Sequence, residues 1–114
     1  MANNFKRYTN KDVNTSLETV YTVPASKNSI IIGCLLCNKT GSGVTASVFI
    51  DAHEGATSDV YLVKDVQIPG GSSLEVVEGK IVVTHTGSAG DVVQAIASTA
   101  SAVDITLSVL EDVA

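Results

Sequence analysis

Short apolar segments recur along the chain between turn residues, and most of them alternate with polar positions. The cleanest runs from 103 to 109, where Val103, Ile105, Leu107 and Val109 alternate with Asp104, Thr106 and Ser108. A period of two places every second side chain on one face, which is the mark of a half-buried strand. Val44, Ala46, Val48 and Ile50 alternate in the same way with Thr45, Ser47, Phe49 and Asp51. Residues 17–23 alternate more weakly, with Leu17, Thr19, Tyr21 and Val23 on one face. Ile30 to Cys37 is apolar on both faces, which predicts a central strand covered on both sides. Residues 59–68 predict another strand, bent near Lys64-Asp65.

The stretch "IPGGSSLEVVEGKIVV" at 68–83 places Pro69, Gly70 and Gly71 before a β-branched run. Read as a hairpin, Leu74 to Val77 goes out, Glu78-Gly79 turns, and Lys80 to His85 returns. "DVVQAIASTASA" at 91–102 is Ala-rich and fits either a strand or a turn or two of helix. The expected architecture is all-β, with about eight strands at close spacing. Loops of hairpin length favour a single antiparallel β-sandwich of jelly-roll or Greek-key type, packed as two layers around one core. Residues 1–15 are polar and aperiodic. They read as an extended N-terminal arm, partly disordered when the chain is alone, preceding a sandwich domain at 16–114.

Composition agrees with the pattern. At 114 residues the chain fits one domain. Valine is the main apolar residue, aromatics are 4% and Trp is absent. Branched side chains suit a pleated sheet better than a helix. The net charge of −5 argues against general nucleic-acid binding, which needs clustered cations. The charge is uneven: Lys6, Arg7 and Lys11 stand near the start, against an acidic remainder. The start lacks the apolar core of a signal peptide, and "IIIGCLLC" is far short of the ~20 residues of a membrane span. The expectation is a soluble chain made in a cytoplasm, with no membrane partner.

Candidate chemistry is sparse. The glycines at 70–71 are followed by no Lys before Lys80 and by a strand pattern, so they fit a turn and not a phosphate cradle. Cys34 and Cys37 have C-x-x-C spacing, but on a strand residues three apart face opposite ways. Two free thiols are therefore expected, neither a redox pair nor half a zinc site. His85 reads as the end of a strand, and His53 lies in a loop with Asp51 and Glu54. That loop holds metal-ligating types, although such loops are more often simply solvated. No G-x-S-x-G occurs, and Glu75 with Glu78 flank one turn with no aromatic cleft beside them. No catalytic, cofactor or metal site is expected. A charged fraction of only 17% favours a surface hidden in an assembly, as do sheet edges and an arm that folds onto a neighbour.

Three stretches carry a resemblance: "TVYTVPASKNSIIIG" (19–33), "YLVKDVQIPGGSSLEVVEGKIVV" (61–83) and "VDITLSVLE" (103–111). In this order they resemble a family of small β-rich structural proteins of tailed bacteriophages, cyanophage-type viruses among them. "THTGSAGD" (84–91) departs from that family's compact "EAGD" turn, being longer and without the Glu. The resemblance implies a non-enzymatic virion protein, assembled in the host cytoplasm. It further implies a capsid cement or decoration protein, forming homo-oligomers (a trimer favoured) and bridging subunits of the major capsid protein. A neck, tail or baseplate component is the alternative, and a glycan-binding adhesion module a more distant one. Lys6, Arg7 and Lys11 would then be arm contacts to the neighbouring protein.

Overall fold

A computed structural model describes residues 4–52, 60–86 and 89–111. Its strands are β1 (Asn4–Val13), β2 (Glu18–Thr22), β3 (Asn28–Asn38), β4 (Val44–Asp51), β5 (Val60–Ile68), β6 (Ser73–Glu75), β7 (Ile81–Thr86), β8 (Ala89–Gly90), β9 (Val92–Ala97) and β10 (Val103–Glu111). They form two layers. The first sheet runs β1-β10-β3-β7-β8, with β6 also on β3, and the second runs β2-β9-β4-β5. Every pairing is antiparallel.

This order resolves the choice between sandwich types. Strands β6 and β7 occupy successive stretches of one edge of β3, so they act as a single strand; with the two-residue β8 set aside, the main strands among the described residues number eight, as expected. First pairs with last (β1 with β10), second with second-last (β2 with β9), β3 with β6–β7, and β4 with β5. That is a long antiparallel ribbon wrapped into two sheets, which is the jelly-roll topology. The core lies between the layers. Ile31, Leu36, Ile105 and Leu107 face inward from the first sheet, and Val48 and Val93 from the second.

Several local expectations hold. In β10, Val103, Ile105, Leu107 and Val109 are buried and the residues between them are not. The bend near Lys64-Asp65 is a bulge, because the β4–β5 register shifts between Ala46 and Val48 and Asp65 has φ 49°. The turn at 69–72 is closed by Ser72 N–H donating to Pro69 O at 3.1 Å, with Gly71 at φ 70° where a side chain would be strained. A Cβ on Gly70 would lie 2.6 Å from the Gly41 carbonyl carbon, so this turn and the 40–43 turn touch backbone to backbone. Buried Asn38 joins them, its Nδ2 donating to Ser42 O at 2.7 Å and Ile68 O at 2.9 Å.

Others are corrected. Leu74–His85 is not a hairpin. Glu75 pairs with Leu35 and Ile81 with Ile31, so four steps along β3 face six along its partner. The excess is a bulge at 76–80, with Gly79 at φ 99°. The chain is held to β3 there because Val76 N–H donates to Cys34 O at 2.7 Å and Cys34 N–H to the Glu75 carboxylate at 2.7 Å. In β2 the pairing shifts between Thr19 and Tyr21, so Val20 is buried while Leu17 and Thr19 are exposed. The ambiguous Ala-rich run contains strand β9, with Val93, Ala95 and Ala97 buried at period two. Finally, β3 is central but covered on one side only. Ile31, Cys34 and Leu36 are buried, while Ile32 and Leu35 are exposed on the opposite face.

Candidate interaction surface

The uncovered side of β3 is part of a larger face. Residues directly opposite in adjacent strands share a face, so the register alone assembles it. Phe5 of β1 faces Leu110 of β10, Leu110 faces Ile30 of β3, and Ile30 faces Val82 of β7. Four apolar residues thus form one row across four strands on the outer face of the first sheet. Phe5 is 77% exposed and Val82 64%. Beyond it lie Arg7, Ser108 and Gly33, then Thr9, Thr106, Leu35 and Glu75. The far end is charged. Lys39 Nζ is bonded to Asp12 and, at 3.0 Å, to Asp104 Oδ1. Burial pushes the Asp104 carboxyl up, but the Asp12 N–H and the Lys39 ammonium together hold it below the usual carboxylate range. The same ion pairs raise the Lys39 ammonium above its ordinary value.

Among the described residues strand β1 forms the edge of this sheet, and it carries the three basic residues read from the sequence. Lys6 faces Val109, whose side chain is in the core, so Lys6 lies on the inner side of the edge. Arg7 faces Ser108 and lies on the outer side. Lys11 sits beside the bulge between Asn10 and Val13, close enough to Asp104 to lower its pKa. All three are exposed along one strand, but Lys6 and Arg7 point to opposite faces, so they line an edge without forming one cluster.

Besides its ladder with β10, β1 is tied to the body by a buried polar group that the sequence pattern did not single out. Tyr8 Oη and Tyr21 Oη each donate to Glu111 Oε2 at 2.8 Å, and Tyr21 Oη shares a 2.8 Å hydrogen bond with Ser29 Oγ. The two tyrosine rings pack with centroids 4.6 Å apart. Glu111 and Ser29 are buried, and the group spans β1, β2, β3 and β10, hence both sheets. Burial, reinforced by the bonded carboxylate, raises the Tyr8 hydroxyl to about 12, and burial drives Tyr21 higher still. The signal was present in the sequence: Glu111 continues the inward series Val103, Ile105, Leu107, Val109 and so had to face the core.

Other candidates are placed as follows. Cys34 is buried and Cys37 half-buried, and both are free thiols. They sit on opposite faces of β3, as their spacing predicts, and burial lifts the Cys34 thiol to about 12. His85 lies in β7, one residue from its end. His53 and Glu54 lie outside the described residues. Among the described residues no three His, Cys, Asp or Glu side chains come together in a metal-binding group. A depression of about 280 Å³ is lined by Thr15, Thr45, Asp65 and Ser98 among others, a set of hydroxyls and one carboxylate with no histidine.

No protein-family model matches the chain, and no curated protein matches it. Two solved structures are similar at a low level. A chain from the disulfide-linked pili of Bacillus endospore appendages is 14% identical, with 98% of this chain and 90% of that one covered and a TM-score of 0.45. A chain from the Gx strain of infectious bursal disease virus is 11% identical, with 95% of this chain but 41% of that one covered and a TM-score of 0.37. At these scores neither likeness carries an argument about function.

Proposed function

We propose that this chain is a non-enzymatic structural protein of a virus particle, a cement or decoration protein that binds and stabilises a shell of major capsid protein. The observation that carries the reading is the outer face of the first sheet, with its uncovered apolar row and the basic edge strand beside it. A small domain that spends Phe5, Ile32, Leu35 and Val82 on an outward face presents a surface suited to other protein. The resemblance of 19–33, 61–83 and 103–111 to phage structural proteins is what points to a virion. In this reading Lys6, Arg7 and Lys11 are contacts of the β1 edge to a neighbouring shell protein.

Antibody-gold labelling of purified particles, combined with quantitative mass spectrometry of copy number, tests it. Label spread over the head in many copies is the expected result. Label confined to a ring at the neck or tail moves the protein to the tail machinery, and absence from particles overturns the virion reading. Replacing Lys6, Arg7 and Lys11 together by Ala should lower occupancy on shells, and raised salt should do the same to the wild type.

A further inference from the structure

We infer that the outer face of the first sheet is the docking surface for a second copy of this chain, the two sheets stacking face to face about a two-fold axis. The inference rests on the assembly reading only for the expectation that the chain associates with other structural protein, and it assigns this face to a second copy, which leaves the exposed β1 edge to the shell. Three features select a second copy as the occupant. The first is charge. The chain carries −5 overall, so copies repel in general. On this face, however, Arg7 and Lys39, with Lys11 near Asp104 at its edge, stand against Asp12, Asp104 and Glu75, so opposite charges balance here. The excess negative charge resides elsewhere, so two copies meeting here avoid bringing it together.

The second feature is shape. An isologous interface must be complementary to itself. A straight row of Phe5, Leu110, Ile30 and Val82 meets that condition, because a two-fold axis across the row at its middle, parallel to the strands, lays apolar side chains on apolar side chains and keeps the rest of the two faces over each other. Beyond the row Gly33, Ser108, Thr106 and Thr9 are low, with Arg7, Leu35 and Glu75 standing around them, so another sheet can approach to the ~10 Å of ordinary sheet packing with these longer side chains interdigitating. The third feature is size. Four strands of this length present roughly 600 Å² as a plane, and side-chain relief brings that close to the ~800 Å² per partner of a standard interface.

The test is the mass of the full-length chain by sedimentation equilibrium over a range of concentrations. The wild type should have twice the 11.8 kDa of one chain. Phe5→Lys and Val82→Lys, each on an exposed side chain, should weaken the dimer by about tenfold or more, since each removes an apolar contact and places a charge within it. Thr22→Lys, on the second sheet, should leave it intact, and circular dichroism melts should confirm that all three variants fold. A wild type that stays monomeric, a trimeric mass, or a dimer indifferent to both Phe5→Lys and Val82→Lys each overturns the inference. The virion reading fails separately. A monomeric protein abundant on capsids keeps that reading and loses this one, because the face then belongs to the shell. A dimer disrupted by Val82→Lys but absent from particles does the reverse.

Discussion

The outer faces of the two sheets each carry a phenylalanine, and only one of the two is covered, by a tyrosine that is itself 46% exposed. On the second sheet Phe49 points outward, yet it is only 3% exposed. Its cross-strand neighbour Tyr61 packs against it with ring centroids 5.1 Å apart, and Lys64 Nζ lies 5.4 Å over the Tyr61 ring. Strand β5 is able to cover this face because its register with β4 shifts on both sides of Val48. A bulge adds twist, and a twisted edge strand folds its side chains over the face beside it. On the first sheet the edge strand β1 has its irregularity near the charged end, between Asn10 and Val13. At the apolar end the bulge lies in central β3, at Ile32, while edge strand β1 stays in register with β10 from Asn4 to Asn10, and Phe5 stays 77% exposed there. Outward phenylalanines therefore have two meanings in one domain. The position of an edge bulge decides whether such a residue becomes a second small core or an offered surface.

The largest effects should come from the closed sites. Phe49→Ala should cost about 3–5 kcal/mol in urea denaturation, and Leu36→Ala about 2–5 kcal/mol, because each leaves a cavity in packed surroundings. A Phe49→Ala cost below about 1 kcal/mol, the range of surface substitutions, would mean that the second face is as open as the first and would break the comparison.

Next in size is the buried carboxylate that holds β1 in place. Glu111→Ala removes the acceptor of both tyrosine hydroxyls; Tyr21 keeps Ser29 as a partner, so the cost should be about 1–3 kcal/mol, that of the Tyr8 hydroxyl left unpaired. Hydrogen exchange should then rise along β1 before it rises elsewhere, because Tyr8 ties the middle of that strand to both layers, and without its hydroxyl bond Asn10, bonded to Glu18 and Thr19 of β2, is left to hold it to the second sheet. Uniform acceleration over the whole sandwich would contradict a role in anchoring β1.

Much of this fold was legible in the sequence, for physical reasons that also mark where reading stopped. Period-two alternation works where a strand has one buried face and an unbroken register, as in β4 and β10. It held for only half of the 17–23 segment, where Tyr21 and Val23 are buried together but the bulge at Val20 leaves Leu17 and Thr19, which precede it, exposed. It misread β3, because apolar residues on both sides of a strand look the same whether the second side meets the chain's own core or a surface offered to another molecule. The 68–83 stretch was read correctly as a turn into a strand and wrongly as a hairpin. Glu78-Gly79 has turn chemistry, but what binds the chain on either side of it is β3, through Cys34, and a distant partner leaves no mark on local sequence. The basic residues could be seen, but their distribution over two sides of one edge follows only from register.

The two thiols carry the comparison onto a single strand. Cys34 faces the core and Cys37 faces out. A disulfide reagent should titrate one thiol in the native protein and the second only in denaturant. The alkaline limb of stability has the same origin. The folded state raises Cys34 from 9.0 to about 12 and Tyr8 from 10.0 to about 12. A pKa raised by folding means that the folded state holds its proton more tightly. The stabilisation is thus complete below the unfolded value and is lost as pH climbs toward the folded one. Stability should be level up to about pH 9 and fall from there toward pH 12. Cys34→Ala should flatten the first part of that fall. An unchanged slope between pH 9 and 10 would show that the thiol is not the group responsible.

The smallest effect is the most informative about the open face. Leu35→Thr and Phe5→Ser remove outward apolar side chains with no intramolecular cover, so the folding free energy of the isolated monomer should change by no more than about 0.5 kcal/mol. In a protein that dimerises through this face the apparent stability also contains an association term that depends on concentration. The melting temperature of the wild type should therefore rise with protein concentration, and those of Leu35→Thr and Phe5→Ser should rise less or not at all. At high dilution the three curves should converge. Leu35 and Leu36 are adjacent on β3 and chemically identical, so a large loss at one and none at the other under dilution isolates the face as the cause. A loss at Leu35 that persists at every concentration would mean that the chain itself covers the residue, and the two sheets would then differ far less than their outer faces indicate.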